Sequence, residues 1–136
     1  MTSPRYMLDT NIVSDIIRNP GGKSAARAKD VGKSGLAVSV ITAAELRFGA
    51  EKSGSPRLAS RVAAMLRTLD VLPFEAPADA EYARVRLALE KAGKPIGPND
   101  LLIAAHARSL GATIVTANTS EFGRVPGLEV ENWLAG

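Results

Sequence analysis

Short apolar runs alternate along the chain with stretches whose apolar residues recur at helical spacing. The short runs are rich in Val, Ile and Leu, as the buried strands of a parallel sheet are. They predict five strands, Tyr6–Leu8, Leu36–Ile41, Val71–Phe74, Thr113–Thr116 and Leu128–Val130. The longer stretches predict six helices, Asn11–Arg18, Ser24–Val31, Thr42–Lys52, Arg57–Leu69, Ala78–Ala92 and Pro98–Leu110. Such alternation is typical of an α/β fold in which helices cover both faces of a mostly parallel sheet.

Length and composition narrow the class of protein. The chain has 136 residues and contains neither an internal repeat nor a long linker, so we expect residues 1–136 to form one domain. Because it has no cysteine, a disulfide scaffold and a thiolate metal site are both excluded. The N-terminal residues lack the apolar run of a signal peptide, and no segment approaches the ~20 apolar residues of a membrane span. We therefore expect a soluble, cytoplasmic protein without a membrane partner.

The charge balance is mildly basic, with a net charge of +3 and a pI of about 9.5. This balance fits a nucleic-acid partner but does not establish one, because many unrelated proteins share it. Basic residues on two predicted helices could contact a phosphate backbone, or could form ordinary solvated helix faces: Arg57, Arg61, Arg67, Arg84, Arg86, Lys91 and Lys94.

Four acidic residues follow the predicted strands. Asp9 comes directly after the first strand, Glu45 shortly after the second and Glu121 after the fourth, while Asp100 lies at the start of the last long helix. In open parallel sheets, active sites form outside the carboxyl ends of the strands. We therefore expect these four side chains, called the carboxylate cluster below, to lie near one edge of the sheet.

Each acidic residue also has a purely structural interpretation. Asp9 could form an Asx turn that begins the next helix. Glu45 fits a capping box with Thr42, and the helix dipole favours a carboxylate at Asp100. Glu121 could be a solvated loop residue, so that for each residue alone both interpretations stay open.

The four carboxylates together indicate a metal site. Converging carboxylates repel one another unless a cation lies between them. Mg²⁺ suits carboxylate and water ligands, and Mn²⁺ can substitute for it. A zinc site has almost no ligands available, since the chain has one His and no Cys.

Two other features carry less weight. His106 lies six residues beyond Asp100 and off its helix face, so we predict a packing or surface residue rather than a catalytic one. Residues Gly21–Ser24 lack the spacing of a phosphate-binding loop and follow a predicted helix.

Four segments resemble, in the same order, the motifs of PIN-domain ribonucleases. They are Met7–Asn11, Val38–Gly49, Asp100–Ala107 and Ile114–Phe122, the last continued by Pro126–Leu128 and Glu131–Trp133. The chain is thereby similar, nearly end to end, to the VapC toxins and FitB-like proteins of type II toxin–antitoxin pairs.

The resemblance implies a three-layer α/β/α sandwich with a central sheet of about five short strands, and cleavage of single-stranded RNA. It makes Asp9, Glu45 and Asp100 the core acidic residues. Where many PIN domains have an Asp, this chain has Asn118, and the nearby Glu121 is expected to hold a second metal or to position water. The resemblance also implies polar support for the site from Thr10, Asn11, Thr116 and Asn118.

A mechanism and a set of partners follow from this resemblance. Mg²⁺ held by Asp9 and Asp100, with Glu45 and Glu121 bound directly or through water, would activate a water molecule that hydrolyses RNA. The products would carry 5′-phosphate and 3′-hydroxyl ends. The implied partners are an RNA (a tRNA for some relatives), a second copy of the chain and a VapB-like antitoxin in a larger hetero-oligomer, and the implied outcome is inhibition of translation and growth. The apolar stripe of residues 42–69 fits either an interface with such partners or core packing within one subunit.

Two alternatives belong to other functional classes. A phosphatase of the HAD type also has an Asp after its first strand, but it needs a second Asp at the position that Asn11 occupies here. A nucleic-acid-binding or partner-binding module could keep the fold and lack the activity, which the Asn at position 118 leaves open.

Overall fold

The central element of the molecule is a sheet of five parallel strands. The computed structural model describes residues 4–135. The strands are β1 (Tyr6–Leu8), β2 (Leu36–Ser39), β3 (Asp70–Leu72), β4 (Thr113–Val115) and β5 (Val130–Glu131). They lie in the order β3-β2-β1-β4-β5, and every neighbouring pair is parallel. The predicted parallel sheet of five short strands is confirmed.

Helices connect the strands and cover the sheet. They are α1 (Thr10–Arg18), α2 (Lys23–Val31), α3 (Val40–Ser53), α4 (Pro56–Thr68), α5 (Ala78–Lys91), α6 (Pro98–Leu110) and the short α7 (Thr119–Phe122), with a 3₁₀ turn at Lys33–Gly35. Pro98 stands in the first turn of α6, and Gly111 ends this helix with a φ of +65° that glycine adopts without strain. None of the described helices is long and apolar enough to cross a membrane.

The strands separate two hydrophobic cores. Tyr6 and Leu8 of β1 enter a core formed with α1, α3 and α4, whereas Met7 between them enters a second core with α5, α6 and α7. This alternation arises because successive strand side chains point to opposite faces. The predicted three-layer α/β/α sandwich is therefore confirmed.

The second strand is shorter than the apolar pattern predicted. The run Leu36–Ile41 is β-branched enough to predict a strand throughout, but the strand ends at Ser39. The Ser39 Oγ accepts a hydrogen bond of 3.1 Å from the Ile41 amide, so that Ser39 caps α3 and the helix begins at Val40. The predicted capping box of Thr42 and Glu45 is therefore wrong, because both residues lie inside the helix.

Other boundaries differ by a few residues. The third strand is Asp70–Leu72 rather than Val71–Phe74, and the fifth is Val130–Glu131 rather than Leu128–Val130. Glu121 lies in α7 and not in a loop. Short edge strands carry few apolar residues, so their ends depend on pairing with β2 and β4 more than on sequence pattern.

Truncation of a buried strand residue should destabilise the fold. Ile114 in β4 is 0% exposed, and we expect Ile114→Ala to lower the free energy of unfolding by about 2–5 kcal/mol through lost burial and an added cavity. Urea unfolding followed by circular dichroism measures this change. The matched control is Leu87→Ala on α5, where the side chain is 54% exposed and the expected loss is below about 0.5 kcal/mol. Equal losses in both variants would contradict the assigned core.

Candidate active site

The carboxylate cluster lies beyond the carboxyl ends of the three middle strands. Asp9 follows β1 and caps α1, Glu45 lies in α3 after β2, and Glu121 lies in α7 after β4. Asp100 occupies the first turn of α6. Parallel pairing of β1 with β2 and with β4 brings these connections to one edge, as the sequence predicted.

Asp9 is buried and held by hydrogen bonds on both carboxylate oxygens. Its Oδ1 accepts from the Thr10 amide at 2.8 Å, and its Oδ2 accepts from the Thr116 hydroxyl at 2.8 Å and from the Asn11 Nδ2 at 3.0 Å. The side chain is 3% exposed. Asp9 thus caps α1, but its bond is to the next amide, Thr10, and not to the amide two residues on that an Asx turn uses. A capping role also does not account for the two donors on the other oxygen.

The support of Asp9 extends to the segment after β4. The Asn11 Oδ1 accepts from the Ala117 amide at 2.9 Å, and the Thr116 Oγ1 accepts from the Asn118 amide at 3.0 Å. Asn11 and Thr116 therefore fix the distance between the end of β1 and the chain that leads to α7.

Glu45 is held on a different side of the cluster. The Thr10 hydroxyl donates to Oε1 of Glu45, and the Asn99 Nδ2 donates to Oε2 at 3.2 Å. Glu45 thereby joins α3 to the starts of α1 and α6. The role of Asn99 was missed by sequence reasoning, although its position directly before Asp100 was a usable signal.

Asp100, Asn118 and Glu121 form one hydrogen-bonded group. The Asn118 Nδ2 donates to Oδ2 of Asp100 at 2.9 Å and to Oε2 of Glu121 at 2.8 Å. The carboxyl groups of Asp100 and Glu121 are also neighbours, and each shifts the pKa of the other. Asn118 is therefore a donor that bridges two acids, at a position where a third acid would add repulsion.

Burial and mutual repulsion perturb the acids. Burial raises the pKa of Asp9, and the charge of Glu45 raises it further, against the hydrogen bonds from Thr116, Thr10 and Asn11. Burial also raises the pKa of Asp100 to about 7, with further contributions from its hydrogen bond to Glu121 and from the charges of Asp9 and Glu121. The pKa of Glu121 is lowered, first by its hydrogen bond with Asp100 and then by that from Asn118.

The donor set fits a hard divalent cation. The groups gathered here are carboxylate, amide and hydroxyl oxygens, which are ligands that Mg²⁺ and Mn²⁺ accept. Burial, and to a smaller extent neighbouring carboxylates, raise the pKa of Asp9 and of Asp100, so a positive charge placed between them would stabilise their ionised forms. Within residues 4–135, however, no three His, Asp or Glu side chains are close enough to enclose a metal ion. A cation here would thus rely on one or two carboxylates and on water, as Mg²⁺ commonly does.

His106 is a packing residue, as predicted. It is 2% exposed, its Nδ1 lies 2.8 Å from the Ser39 Oγ, and its ring meets that of Phe74 edge to face. Burial lowers the pKa of His106, which favours the neutral ring. Through Ser39 the imidazole supports the cap of α3, the helix that carries Glu45.

Several of the basic residues that could contact a phosphate backbone already have partners within the chain. Arg61 donates to the Ile17 carbonyl, Arg84 pairs with Glu81, and Arg86 pairs with Glu90.

The apolar stripe of α4 lies in the first hydrophobic core, so packing within the subunit accounts for it: Leu58, Val62, Met65, Leu66 and Leu69. On α3, by contrast, Phe48 is 66% exposed.

Comparisons with known proteins agree with this geometry. Residues 6–128 match the PIN domain family. The chain is 40% identical over 130 residues to the tRNA(fMet)-specific endonuclease VapC of Shigella flexneri, covering 95% of this chain and 98% of that protein. It is 42% identical over 132 residues to ribonuclease VapC2 of Haemophilus influenzae, covering 96% and 98% respectively.

Solved structures give the same result. A DNA-bound VapBC structure from Salmonella typhimurium superimposes with a TM-score of 0.90 at 37% identity, covering 96% of this chain and 98% of that chain. VapBC2 from Rickettsia felis, bound to a promoter DNA fragment, gives 0.89 at 38% identity over 94% and 98%. The phosphatase alternative receives no support from these matches. The chain belongs to the PIN-domain family, within its group of VapC ribonucleases.

Proposed function

We propose that this protein is a Mg²⁺-dependent endoribonuclease and the toxin of a type II toxin–antitoxin pair. One observation carries the proposal: Asp9, Asp100 and Glu121 converge beyond β1 and β4 in a chain of the VapC group. Hydrogen bonds already hold these carboxylates in place, so the side chains need to move little when a substrate binds. Catalysis by electrostatic stabilisation depends on groups that are oriented in advance in this way.

Asp9 and Asp100 are the proposed metal ligands. The Oδ1 and Oδ2 of Asp9 are already oriented by Thr10, Asn11 and Thr116, so its free lone pairs point in fixed directions. Glu45 and Glu121 complete the site directly or through water, and Mn²⁺ substitutes for Mg²⁺ in the same donor set. When bound, the cation neutralises charge on the scissile phosphate and lowers the pKa of a neighbouring water molecule.

The chain's own residues then align the reaction. Water adds to phosphorus, the bond from phosphorus to the 3′ oxygen breaks, and the 3′ oxygen takes up a proton. The products are a 5′-phosphate and a 3′-hydroxyl. Glu121 lies nearer the surface than Asp9 and orients the attacking water, while Asn118 holds Glu121 and Asp100 apart at a fixed distance.

The substrate is proposed to be an RNA with an accessible single-stranded segment. The Shigella relative is named for its action on tRNA(fMet), so an initiator tRNA is the first RNA to test. Cleavage of such an RNA would inhibit translation and growth. Exposed basic residues that make no ion pair within residues 4–135, such as Arg57 and Lys94, would contact phosphates and contribute affinity rather than sequence choice.

A VapB-like antitoxin and a second copy of the chain are the proposed protein partners. The similar solved structures from Salmonella and Rickettsia are toxin–antitoxin complexes bound to DNA. Phe48, at 66% exposure on α3, gives this face an unburied aromatic ring of the kind that interfaces bury. We propose a homodimer that forms a larger hetero-oligomer with the antitoxin.

Cleavage of RNA by the purified protein tests the proposed activity. We expect cleavage with Mg²⁺ or Mn²⁺, none with EDTA, and a loss of about a hundredfold or more in Asp9→Asn and Asp100→Asn, because metal-assisted charge stabilisation is worth several kcal/mol. The Asn in Asp9→Asn keeps a good helix cap, so the fold should survive. Analysis of the product ends distinguishes hydrolysis from attack by the RNA's own 2′-hydroxyl.

The matched control is Asp30→Asn, which changes an exposed carboxylate on α2 away from the cluster and should cleave like the unaltered protein. Cleavage that persists in both site variants, or products with 2′,3′-cyclic phosphates, would overturn the proposal. Metal binding without cleavage of any RNA would favour the alternative, a catalytically weak binding module, for which the Asn at position 118 is the structural argument.

Metal binding should depend on pH with a definite sign. Because the pKa of Asp100 is raised from 3.8 to about 7, the metal-free fold favours its protonated form and loses that contribution to stability as pH rises through about 7. A divalent cation must displace this proton, so its affinity rises over the same range. We expect Mn²⁺ to raise the melting temperature more at pH 8 than at pH 6, and this difference should vanish in Asp100→Asn. An equal increase at both pH values would show that Asp100 is not a ligand.

Expression in growing bacteria tests the proposed toxicity. We expect the unaltered chain to arrest growth and Asp100→Asn, which lacks a proposed metal ligand, to permit it at equal protein levels. Co-expression of the cognate antitoxin should restore growth. If both forms arrested growth at equal abundance, the toxicity would not depend on the carboxylate cluster.

A further inference from the structure

The segment that leads into α6 is held by contacts from outside that helix. α5 ends at Lys91, and residues 92–97 connect it to α6, with Gly93 at a φ of +67°. Gly97 is the N-cap of α6 and has no side chain to satisfy the free amides of the first turn. The start of α6 carries Asn99 and Asp100, so the position of this connection sets the position of two residues of the site.

Arg124, which follows α7, contacts this connection. Its Nη1 donates a hydrogen bond to the Pro95 carbonyl at 3.0 Å. The positive charge of Arg124 also contributes to lowering the pKa of Glu121. One arginine thus contacts the chain just before Asp100 and lies close to a second member of the carboxylate cluster.

The backbone of Arg124 is itself firmly placed. Phe122 is fully buried and Val125 nearly so in the second hydrophobic core, on either side of Arg124. Beyond them, Arg108 of α6 donates to the Pro126 carbonyl at 3.0 Å. The connection, by contrast, is exposed from Ala92 to Pro95. The backbone of Arg124 is therefore anchored in the core, and its side chain holds the exposed connection through the Pro95 carbonyl.

We propose that Arg124 is a positioning residue that fixes the start of α6, and through it Asp100, relative to Glu121. This inference rests on the proposed ribonuclease activity. Arg124 acts through the Pro95 carbonyl and contacts neither metal nor RNA. The loss of this hydrogen bond would let residues 95–100 move relative to α7 and would weaken the bonds that join Asp100, Asn118 and Glu121.

Substitution of Arg124 distinguishes positioning from RNA binding. Arg124→Met keeps the length of the side chain and removes its donors and charge. We expect kcat to fall about tenfold with KM within about twofold, because a small misplacement of a reacting group lowers the rate far more than it lowers binding. Arg124→Lys, which keeps a donor and a charge, should recover most of the loss. Lys29→Met, which removes an exposed positive charge on α2, is the control and should cleave normally.

A second measurement does not depend on activity. Hydrogen exchange of the Leu101 amide, which donates to the Gly97 carbonyl at 2.9 Å, can be followed by NMR. It should accelerate about tenfold in Arg124→Met but not in Lys29→Met, since the connection would open locally without global unfolding. If Arg124→Met does not fold, Arg124→Gln takes its place in both measurements. An increase in KM at unchanged kcat, or unchanged exchange at the Leu101 amide, would overturn the proposal. If the unaltered protein cleaves no RNA, the proposed function fails, and the exchange measurement still decides whether Arg124 holds the connection.

Discussion

The mutual repulsion of carboxylates at one edge of the sheet is the constraint on which the rest of the site depends. Parallel pairing of β1 with β2 and β4 brings together acids that would separate if they were free in water. The fold opposes this repulsion with neutral donors, chiefly Thr10, Asn11, Thr116 and Asn118. It does not remove the repulsion, which adds to the larger effect of burial in raising the pKa of Asp9 and of Asp100. Energy stored in this way is available to any cation that enters.

The residue at position 118 affects this balance between carboxylate repulsion and neutral hydrogen-bond donors. An amide nitrogen supplies two hydrogens, and Asn118 directs its nitrogen at two acids. A carboxylate at the same place would accept and not donate, and would add a fifth acidic side chain to the group. The chain therefore replaces one acid with a donor and keeps Glu121, one turn further along, as the acid on this side.

Much of the fold and the core of the site could be predicted from sequence. Strand and helix periodicities differ clearly in most segments, and the rule that parallel strands share a carboxyl edge was enough to group Asp9, Glu45 and Asp100. The end of β2 could not be predicted, because Val40 and Ile41 are apolar and β-branched and only the cap at Ser39, supported by His106, makes them helical. The contact of Arg124 was equally inaccessible, since it joins segments that approach one another only in the folded chain. For Asn99, only its position directly before Asp100 offered a signal.

The strand order has a consequence for the chain as it is synthesised. β1 lies between β2 and β4. The first strand to be synthesised therefore has only one of its two neighbours until the chain has been made as far as Val115, the end of β4. Thr116, which donates to Asp9, and Asn118, which joins Asp100 to Glu121, emerge later still. A chain that stops before Thr116 thus has Asp9, Glu45 and Asp100 but lacks Thr116 and Asn118, which donate to Asp9 and to Asp100. The carboxylate cluster is therefore completed only once β4 and α7 have been made, and a nascent chain that stops short of them carries acids without the arrangement that a metal ion would need.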